Sequence, residues 1–199
     1  MSTAPLKLEF VMSGADVADL PETNAEIAIV GRSNVGKSSL INAVSARKKL
    51  ALVSNTPGRT RMLNLFDLPG HGTVMDLPGY GYAAASKTER DRWQRMIEGY
   101  LLNREGLTMV VVLVDGEVGP TKLDLTMLAW AEGYDLPHTI VATKHDKVKA
   151  LQRDKRRNEL AAKCGRKPAE ILWVSASKGT GIAELRGKIL SWLHPADPA

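Results

Sequence analysis

The sequence predicts an α/β fold in which a mostly parallel six-stranded sheet, with one antiparallel strand, is covered by helices on both faces. From about residue 25 onward, short apolar runs alternate with longer amphipathic segments. That alternation is typical of strands joined by helices. A glycine-containing loop separates the first clear strand from the first helix, and a second short glycine-containing connection joins two later strands. The second connection indicates the antiparallel pair.

The individual elements follow from the spacing of apolar residues. Short apolar runs predict strands near residues 26–30, 62–67, 72–76, 109–114, 138–142 and 171–174. Segments with helical spacing predict helices near residues 37–46, 87–103, 121–133, 149–164 and 180–193. The connection at residues 68–72 reads Leu-Pro-Gly-His-Gly, which is a hairpin signal. The second and third strands should therefore pair antiparallel.

The two ends of the chain are set apart from this pattern. Residues 1–24 are expected to form an N-terminal arm or an edge strand, because residues 8–12 carry only a weak strand pattern. Residues 25–193 are expected to form one compact domain. Residues 194–199 contain two prolines among small residues, and we expect them to form a flexible tail.

Composition and charge narrow the class of protein. A chain of 199 residues with 44% apolar and 25% charged residues can form one sizeable core. The longest apolar stretch, residues 109–114, is far shorter than a membrane span, and the amino end lacks an export signal. We therefore expect a cytoplasmic protein without a membrane contact. The formal net charge of +5 is compatible with a polyanionic partner or with solubility alone.

The loop between the first clear strand and the first helix reads Gly-Arg-Ser-Asn-Val-Gly-Lys-Ser. Two glycines let successive backbone N–H groups point into one volume, and the helix adds its positive dipole end, so this loop can hold nucleotide phosphates. Lys37 should reach the β and γ phosphates, and the Ser38 hydroxyl should ligate Mg²⁺. The expected binding residues are Gly31, Arg32, Ser33, Asn34, Val35, Gly36, Lys37 and Ser38.

The segment Asp76-Leu77-Pro78-Gly79 ends the third strand. An acidic side chain at this place can meet the metal ion through water, and the Gly79 N–H can approach the γ-phosphate. The four-residue pattern is weak alone, but its position after a strand and downstream of the phosphate loop favours a nucleotide site.

The segment Thr143-Lys144-His145-Asp146 follows the fifth strand and predicts guanine specificity. The Asp146 carboxylate can accept hydrogen bonds from the ring N–H and the exocyclic amine of guanine, whereas adenine presents the wrong pattern. The aliphatic stem of Lys144 would lie along the purine face. His145 is expected to point elsewhere, as a structural or surface residue.

Two further segments complete the expected site. After the last strand come Val174, Ser175 and Ala176, and the Ala176 N–H could donate to the guanine carbonyl oxygen. Between the first helix and the second strand lies a polar, turn-rich segment whose expected nucleotide-binding residues are Gly58, Arg59, Thr60, Arg61 and Met62. Thr60, with Thr56 as the alternative, should place its hydroxyl on Mg²⁺ and its N–H on the γ-phosphate.

With these motifs in this order, the sequence resembles the small GTPases related to Era and TrmE, and within them the bacterial YihA, YsxC or EngB group. The resemblance rests on residues 31–39, 56–60, 76–81 and 143–146. Threonine at position 143, where most GTPases have asparagine, and Gly81 after Tyr80 are marks of this group. The resemblance implies a Ras-like P-loop GTPase fold and a slowly hydrolysing GTP switch in assembly of the large ribosomal subunit. The resemblance also implies a possible role in division septation, because some relatives are needed for it.

The source of catalysis stays open in the sequence. Many small GTPases orient the attacking water with a glutamine directly after Asp-x-x-Gly, and here that position is Tyr80. The catalytic group is therefore unknown, with Thr60, Asn34 and Gly79 as candidates. In relatives of the Era and TrmE type the residue that matches Asn34 ligates potassium, and here Asn34 either binds K⁺ or only shapes the loop.

The expected ligands are GTP and GDP with Mg²⁺ as cofactor. The expected partner is the large ribosomal subunit or its precursor, through rRNA and proteins, and the chain is expected to act as a monomer. Two other functions are considered, a nucleotide-gated binding module with negligible turnover and a P-loop kinase or ATPase. Asp146 argues against the kinase or ATPase.

Overall fold

The structure, a computed structural model, describes residues 4–51, 62–81 and 87–194, and for residues 87–93 it describes the backbone only. The strands are β1 Glu9–Gly14, β2 Glu26–Gly31, β3 Leu63–Leu68, β4 Gly72–Asp76, β5 Leu107–Asp115, β6 His138–Thr143 and β7 Ile171–Trp173. The helices are α1 Lys37–Ser45, α2 Lys87–Asn103, α3 Lys122–Gly133, α4 Arg153–Lys163 and α5 Ile182–Leu193. The predicted α/β class is confirmed.

The strands form one sheet in the order β1-β3-β4-β2-β5-β6-β7. Strand β3 runs antiparallel to both of its neighbours, and the other pairings are parallel. The hairpin between β3 and β4 is therefore confirmed. The sheet has seven strands instead of the six predicted, because Glu9–Gly14 pairs with β3 as an edge strand. Its pattern was weak because Phe10 and Val11 are exposed and a bulge between Phe10 and Met12 interrupts the alternation.

The sheet separates two apolar cores. Alternate residues of β2 point to opposite faces, so that Ala28 and Val30 belong to one core and Ile27 and Ile29 to the other. The first core includes side chains of α2, α3 and α4, and the second includes side chains of α1 and α5. Within the described ranges, no helix is both long and apolar enough to cross a membrane.

Helix starts differ slightly from the predicted ones, for local reasons. Helix α3 begins after Thr121, whose hydroxyl accepts a hydrogen bond from Asp124 N while the Asp124 carboxylate accepts from Thr121 N. Helix α4 begins at Arg153 because Ala150–Gln152 form a separate 3-10 turn. Helix α5 begins after Gly181, which has a left-handed φ of 70°.

A buried polar cluster fixes the start of β2, at the opposite end from the phosphate loop. Glu26 is fully buried, and its carboxylate accepts hydrogen bonds from Tyr100 Oη, Arg104 Nε and Thr73 Oγ1. Burial and the Glu26 charge raise the pKa of Tyr100 well above its ordinary value, so the phenol remains a donor. The buried carboxylate is thus compensated by three partners, and the cluster has a structural role.

Candidate nucleotide-binding site

The predicted site segments meet at one edge of the sheet. Strands β2, β4, β5, β6 and β7 are parallel, so their carboxyl ends lie together. The phosphate loop follows β2, the Asp-x-x-Gly segment follows β4, and the two guanine segments follow β6 and β7. Ligands of open α/β sheets bind outside these strand ends.

The two glycines of the phosphate loop meet different steric requirements, and the asparagine between them is exposed. Gly31 has no room for a side chain, because a Cβ there would lie 2.9 Å from Val35 Cγ1 and 3.0 Å from Leu113 Cβ. Gly36 has a φ of 108° at the start of α1, a conformation that favours glycine. Asn34 has a φ of 63° and is exposed, so its side-chain amide is open to solvent beside the loop.

Backbone hydrogen bonds fasten the Asp-x-x-Gly segment to the phosphate loop. Tyr80 N donates to Gly31 O at 3.2 Å, and Ser33 N donates to Tyr80 O at 2.9 Å. A Cβ on Gly79 would lie 3.0 Å from both the Cα and the N of Ser33. Glycine at position 79 therefore allows the two loops to approach, and a shift of either loop would move the other.

Asp76 is buried between the two loops. Lys37 Nζ lies 3.7 Å from Asp76 Oδ1, and within the described part of the chain Oδ1 accepts no hydrogen bond. Burial raises the pKa of Asp76, an effect that the Lys37 charge and a hydrogen bond from the Asn64 amide oppose. A desolvated carboxylate oxygen without a hydrogen bond suits a hard divalent cation such as Mg²⁺.

The orientation of Asp76 is supported from the neighbouring strands. Asn64 on β3 stands directly opposite Asp76, and Ser13 on β1 stands opposite Asn64. Ser13 Oγ donates a 2.7 Å hydrogen bond to Asn64 Oδ1, which leaves the amide NH₂ for Asp76. These contacts from Ser13 through Asn64 to Asp76 cannot be predicted from sequence alone, because they depend on the register of the three strands.

The Tyr80 side chain is hydrogen-bonded to helix α3. Its ring is buried, and its hydroxyl donates a 2.7 Å hydrogen bond to Oδ1 of Asp124 on α3. Burial and the Asp124 charge raise the pKa of Tyr80 far above its ordinary value. The residue that replaces the usual glutamine is thus committed to packing against α3.

Thr143 connects the guanine segment to the phosphate loop. Its buried hydroxyl donates to Val35 O at 2.7 Å and lies 3.3 Å from Val114 O. A threonine hydroxyl therefore ties the end of β6 to the loop that follows β2. This contact explains how threonine can serve at a position where most GTPases have asparagine.

Asp146 is held by the segment that follows β7. Ser175 Oγ donates a 2.6 Å hydrogen bond to Asp146 Oδ1, and this bond is the main reason why the pKa of Asp146 is lowered. Ser175 is itself buried and accepts from Lys178 N at 3.1 Å. Among the described residues, none accepts a hydrogen bond from Ala176 N–H. The two segments thus supply an ionised carboxylate at Asp146 and a backbone donor at Ala176, the two kinds of group that recognition of guanine requires.

His145 lies inside the protein, as a structural residue would. Its ring packs edge-to-face on Trp173 at a centroid distance of 5.7 Å, and its backbone N donates to Val174 O. Burial lowers the pKa of His145, and the charges of Arg153 and Arg157 lower it further.

One functional candidate was missed by sequence reasoning. Asp115, the last residue of β5, is buried, and its Oδ2 lies 2.7 Å from Lys144 Nζ and 3.7 Å from Arg32 Nη2. It joins a residue of the phosphate loop to a residue of the guanine segment. Only the position of β5 between β2 and β6 reveals it.

Part of the predicted site lies outside the described residues. Gly58, Arg59, Thr60, Arg61 and the alternative Thr56 belong to that part. Met62 is described, lies just before β3 and is 41% exposed. Of the predicted tail, residues 195–199 also lie outside.

Comparison with known proteins agrees with this geometry. The model of the 50S ribosome-binding GTPase family matches residues 26–144. A probable GTP-binding protein EngB of Pelobacter propionicus is 46% identical over 177 residues, which cover 88% of each chain. The corresponding protein of Pelotomaculum thermopropionicum is 44% identical over 189 residues, 93% of this chain and 94% of the relative. This chain belongs to the EngB family of GTP-binding proteins.

Solved structures place the EngB-family chain among the Ras-like GTPases. A crystal structure of a probable GTP-binding protein EngB matches with a TM-score of 0.69 and 27% identity, over 85% of this chain and 99% of that one. Era in complex with MgGDPNP and a segment of 16S ribosomal RNA matches with a TM-score of 0.68 and 25% identity, over 90% of this chain and 60% of that one. Membership of the EngB family makes this chain a GTP-binding protein and a GTPase.

Proposed function

We propose that this GTPase is a magnesium-dependent switch that acts in assembly of the large ribosomal subunit. The main support for the switch is the close contact between Gly79 and Ser33. A Cβ on Gly79 would lie only 3.0 Å from the Cα and the N of Ser33. A loop packed this closely on the phosphate loop is sensitive to the presence of a γ-phosphate. The family description, 50S ribosome-binding GTPase, supports the ribosomal role, and the net charge of +5 agrees with an RNA partner.

In this proposal the phosphate half of the site works through Lys37, Ser38 and Asp76. Lys37 contacts the β and γ phosphates, and its proximity to Asp76 keeps its ammonium directed inward. Ser38 and, through water, Asp76 would hold Mg²⁺, with Thr60 as the third expected ligand. When bound, the ion supplies positive charge against the β and γ phosphates.

The base half of the site reads guanine through Asp146 and Ala176, with Lys144 along the purine face. Ser175 keeps the Asp146 carboxylate ionised and oriented. The Thr143 hydroxyl links the base half to the phosphate loop through its hydrogen bond to Val35 O. Base and phosphates are therefore held by one connected unit.

Intrinsic hydrolysis should be slow. The Tyr80 phenol is engaged with Asp124 and cannot orient a water molecule at the γ-phosphate. The candidates for the catalytic group remain Thr60, the Gly79 N–H and Asn34, whose exposed amide could hold a potassium ion beside the phosphates. A ribosomal partner would complete the site, and we propose that the chain meets it as a monomer in the cytoplasm.

Sedimentation with purified ribosomal subunits tests the ribosomal role. The GTP-loaded protein should pellet with the large subunit more than the GDP-loaded protein, and binding should fall steeply with added salt, since basic residues displace counterions from RNA. Equal pelleting of both forms across a salt series would argue against a switch. We extend the proposal to division septation only through the resemblance to relatives with that role, and a normal division phenotype on depletion would remove it.

A further inference from the structure

The end of β5 lies between the two halves of the nucleotide site. Strand β5 pairs with β2 on one side and with β6 on the other. Leu113 stands beside Gly31, where the phosphate loop begins, and Asp115 stands beside Thr143, where the guanine segment begins. A side chain at this position can therefore contact both segments.

The two oxygens of the Asp115 carboxylate have separate partners. Oδ1 accepts hydrogen bonds from the backbone N–H groups of Glu117, at 3.0 Å, and Val118, at 3.1 Å. Oδ2 accepts from Lys144 Nζ at 2.7 Å and lies 3.7 Å from Arg32 Nη2. The backbone bonds fix the plane of the carboxylate, so that Oδ2 faces the two cations.

The segment after Asp115 is also fixed against the guanine segment. Gly116 N donates to Thr143 O at 2.9 Å. A Cβ on Gly116 would lie 2.6 Å from Thr143 O and 2.6 Å from Trp173 Cζ3, so the backbones can approach only at a glycine. The position of Asp115 relative to Lys144 is thus set by main-chain contacts and does not depend on the ion pair.

Lys144 has a long, flexible side chain, but its backbone conformation and its ammonium group are both constrained. Its backbone has a left-handed φ of 55°, and its side chain is 35% exposed, whereas the Asp115 side chain is only 2% exposed. A free lysine in this position would sample many rotamers. With its ammonium held by a buried carboxylate, the aliphatic stem is restrained before a ligand arrives, which lowers the entropy lost on binding.

We propose that Asp115 is a positioning residue for the purine, which acts by anchoring the Lys144 ammonium so that the lysine stem forms a preformed wall of the base site. The same Oδ2 faces the Arg32 guanidinium of the phosphate loop and so couples the two halves of the site. The inference rests on the proposed function in one respect, the placement of the Lys144 stem along the purine.

The substitution Asp115→Asn tests this role with little change of shape. The asparagine keeps Oδ1 for the two backbone donors and puts an NH₂ group, which cannot accept a hydrogen bond, where Oδ2 faced Lys144. We expect the affinities for GDP and GTP to fall by roughly 3- to 10-fold, the size of one net hydrogen bond. The matched control is Asp67→Asn, the same change on β3 at the far end of the sheet, which should bind GDP like the wild type.

Inosine diphosphate, which lacks the exocyclic amine of guanine, separates this role from base reading. Lys144 would contact the ring face, which both bases share, while Asp146 reads the amine. Asp115→Asn should therefore lower the affinities for GDP and IDP by the same factor and preserve the preference of the wild type for GDP. A variant that lost this preference would show that Asp115 acts on base reading, and the inference would be wrong.

The substitution Lys144→Met gives a second, independent test. Methionine retains an apolar stem of similar length without the anchoring ammonium, so GDP affinity should fall about as far as in Asp115→Asn. The double variant should bind no more weakly than Asp115→Asn alone, because Asp115→Asn already removes the contact that Lys144→Met removes. The inference would be overturned if Asp115→Asn or Lys144→Met bound GDP with wild-type affinity. It would also be overturned if the losses of GDP affinity in the double variant were additive. A wild-type protein that binds GDP and IDP equally would instead contradict the proposed guanine site on which the inference rests.

Discussion

The hydroxyl of Tyr80 donates a 2.7 Å hydrogen bond to Oδ1 of Asp124, while Oδ2 of the same carboxylate accepts from the backbone N and the hydroxyl of Thr121. The first residue after Asp-x-x-Gly is therefore joined to the N-terminal turn of α3. Asp124 is 1% exposed, so each of these donors compensates a desolvated charge. A structural role for Tyr80 follows, distinct from the water-orienting role of glutamine in other GTPases.

Substitution Tyr80→Phe should lower stability and spare hydrolysis. Loss of the hydroxyl leaves Asp124 Oδ1 without this donor, which should cost about 1–3 kcal/mol in the free energy of unfolding. Urea denaturation measures that loss, and single-turnover hydrolysis of GTP should stay within about twofold of the wild type, since no transition-state contact is removed. A large fall in the hydrolysis rate at unchanged stability would show that the phenol acts on the nucleotide.

The phosphate loop is tested by Lys37→Ala and Ser38→Ala. The first removes a charge from the β and γ phosphates and also leaves Asp76 without its nearby cation, and the second removes a Mg²⁺ ligand. Each should weaken GTP binding, or its dependence on Mg²⁺, by more than about tenfold. Titration of a fluorescent GTP analogue with and without EDTA measures both effects. Unchanged affinity in both variants would remove the phosphate-loop assignment.

The buried imidazole of His145 predicts a pH dependence of stability. Its folded pKa is lowered from 6.5, so below that pH the unfolded chain binds more protons at this site than the folded chain. Stability should therefore be retained above pH 6.5 and should fall as the pH drops through the lowered folded pKa.

Urea denaturation at pH 7.5 and pH 5.5 checks this dependence. The variant His145→Gln should lose less stability over that interval than the wild type. Lys147→Gln, an exposed change on the same turn, should behave like the wild type. Equal losses in His145→Gln and the wild type would show that this histidine does not control the acid response.

Asn34 provides the test for potassium. If its exposed amide ligates K⁺, the wild type should hydrolyse GTP faster in potassium than in sodium at equal ionic strength. Asn34→Ala should abolish that difference while GDP binding stays largely intact, because the backbone of the loop still holds the phosphates. Equal rates in both salts, with and without ribosomal subunits, would leave a partner as the source of the catalytic group.

The architecture, and the place in it of the described candidate-site segments, could be predicted from local sequence. Each predicted motif within the described ranges stands at a strand end, and strand ends are visible as the limits of apolar runs. Helix α1 begins at Lys37 as predicted, because Gly36 and the phosphate loop define its start. The hairpin before β4 was recognisable because a Pro-Gly pair interrupts two apolar runs.

The long-range contacts around the candidate site could not be predicted from local sequence in the same way. Asp115 follows an apolar run like many strand-terminal acids, and only the order β2-β5-β6 brings it to Lys144 and Arg32. The partners Tyr80 and Asp124 are separated by 44 residues, and no local pattern relates them. The edge strand β1 was uncertain because a strand with one free edge and a bulge lacks regular alternation.

The most direct test of the whole account is the nucleotide preference of Asp146→Asn. A carboxylate accepts from the ring N–H and the exocyclic amine of guanine, whereas an asparagine amide can donate to the carbonyl that xanthine carries in place of the amine. Measured dissociation constants for GDP and XDP should therefore favour GDP in the wild type and XDP in the folded variant. A folded Asp146→Asn protein that still prefers GDP would show that the base is read elsewhere and would contradict the site described for this GTPase.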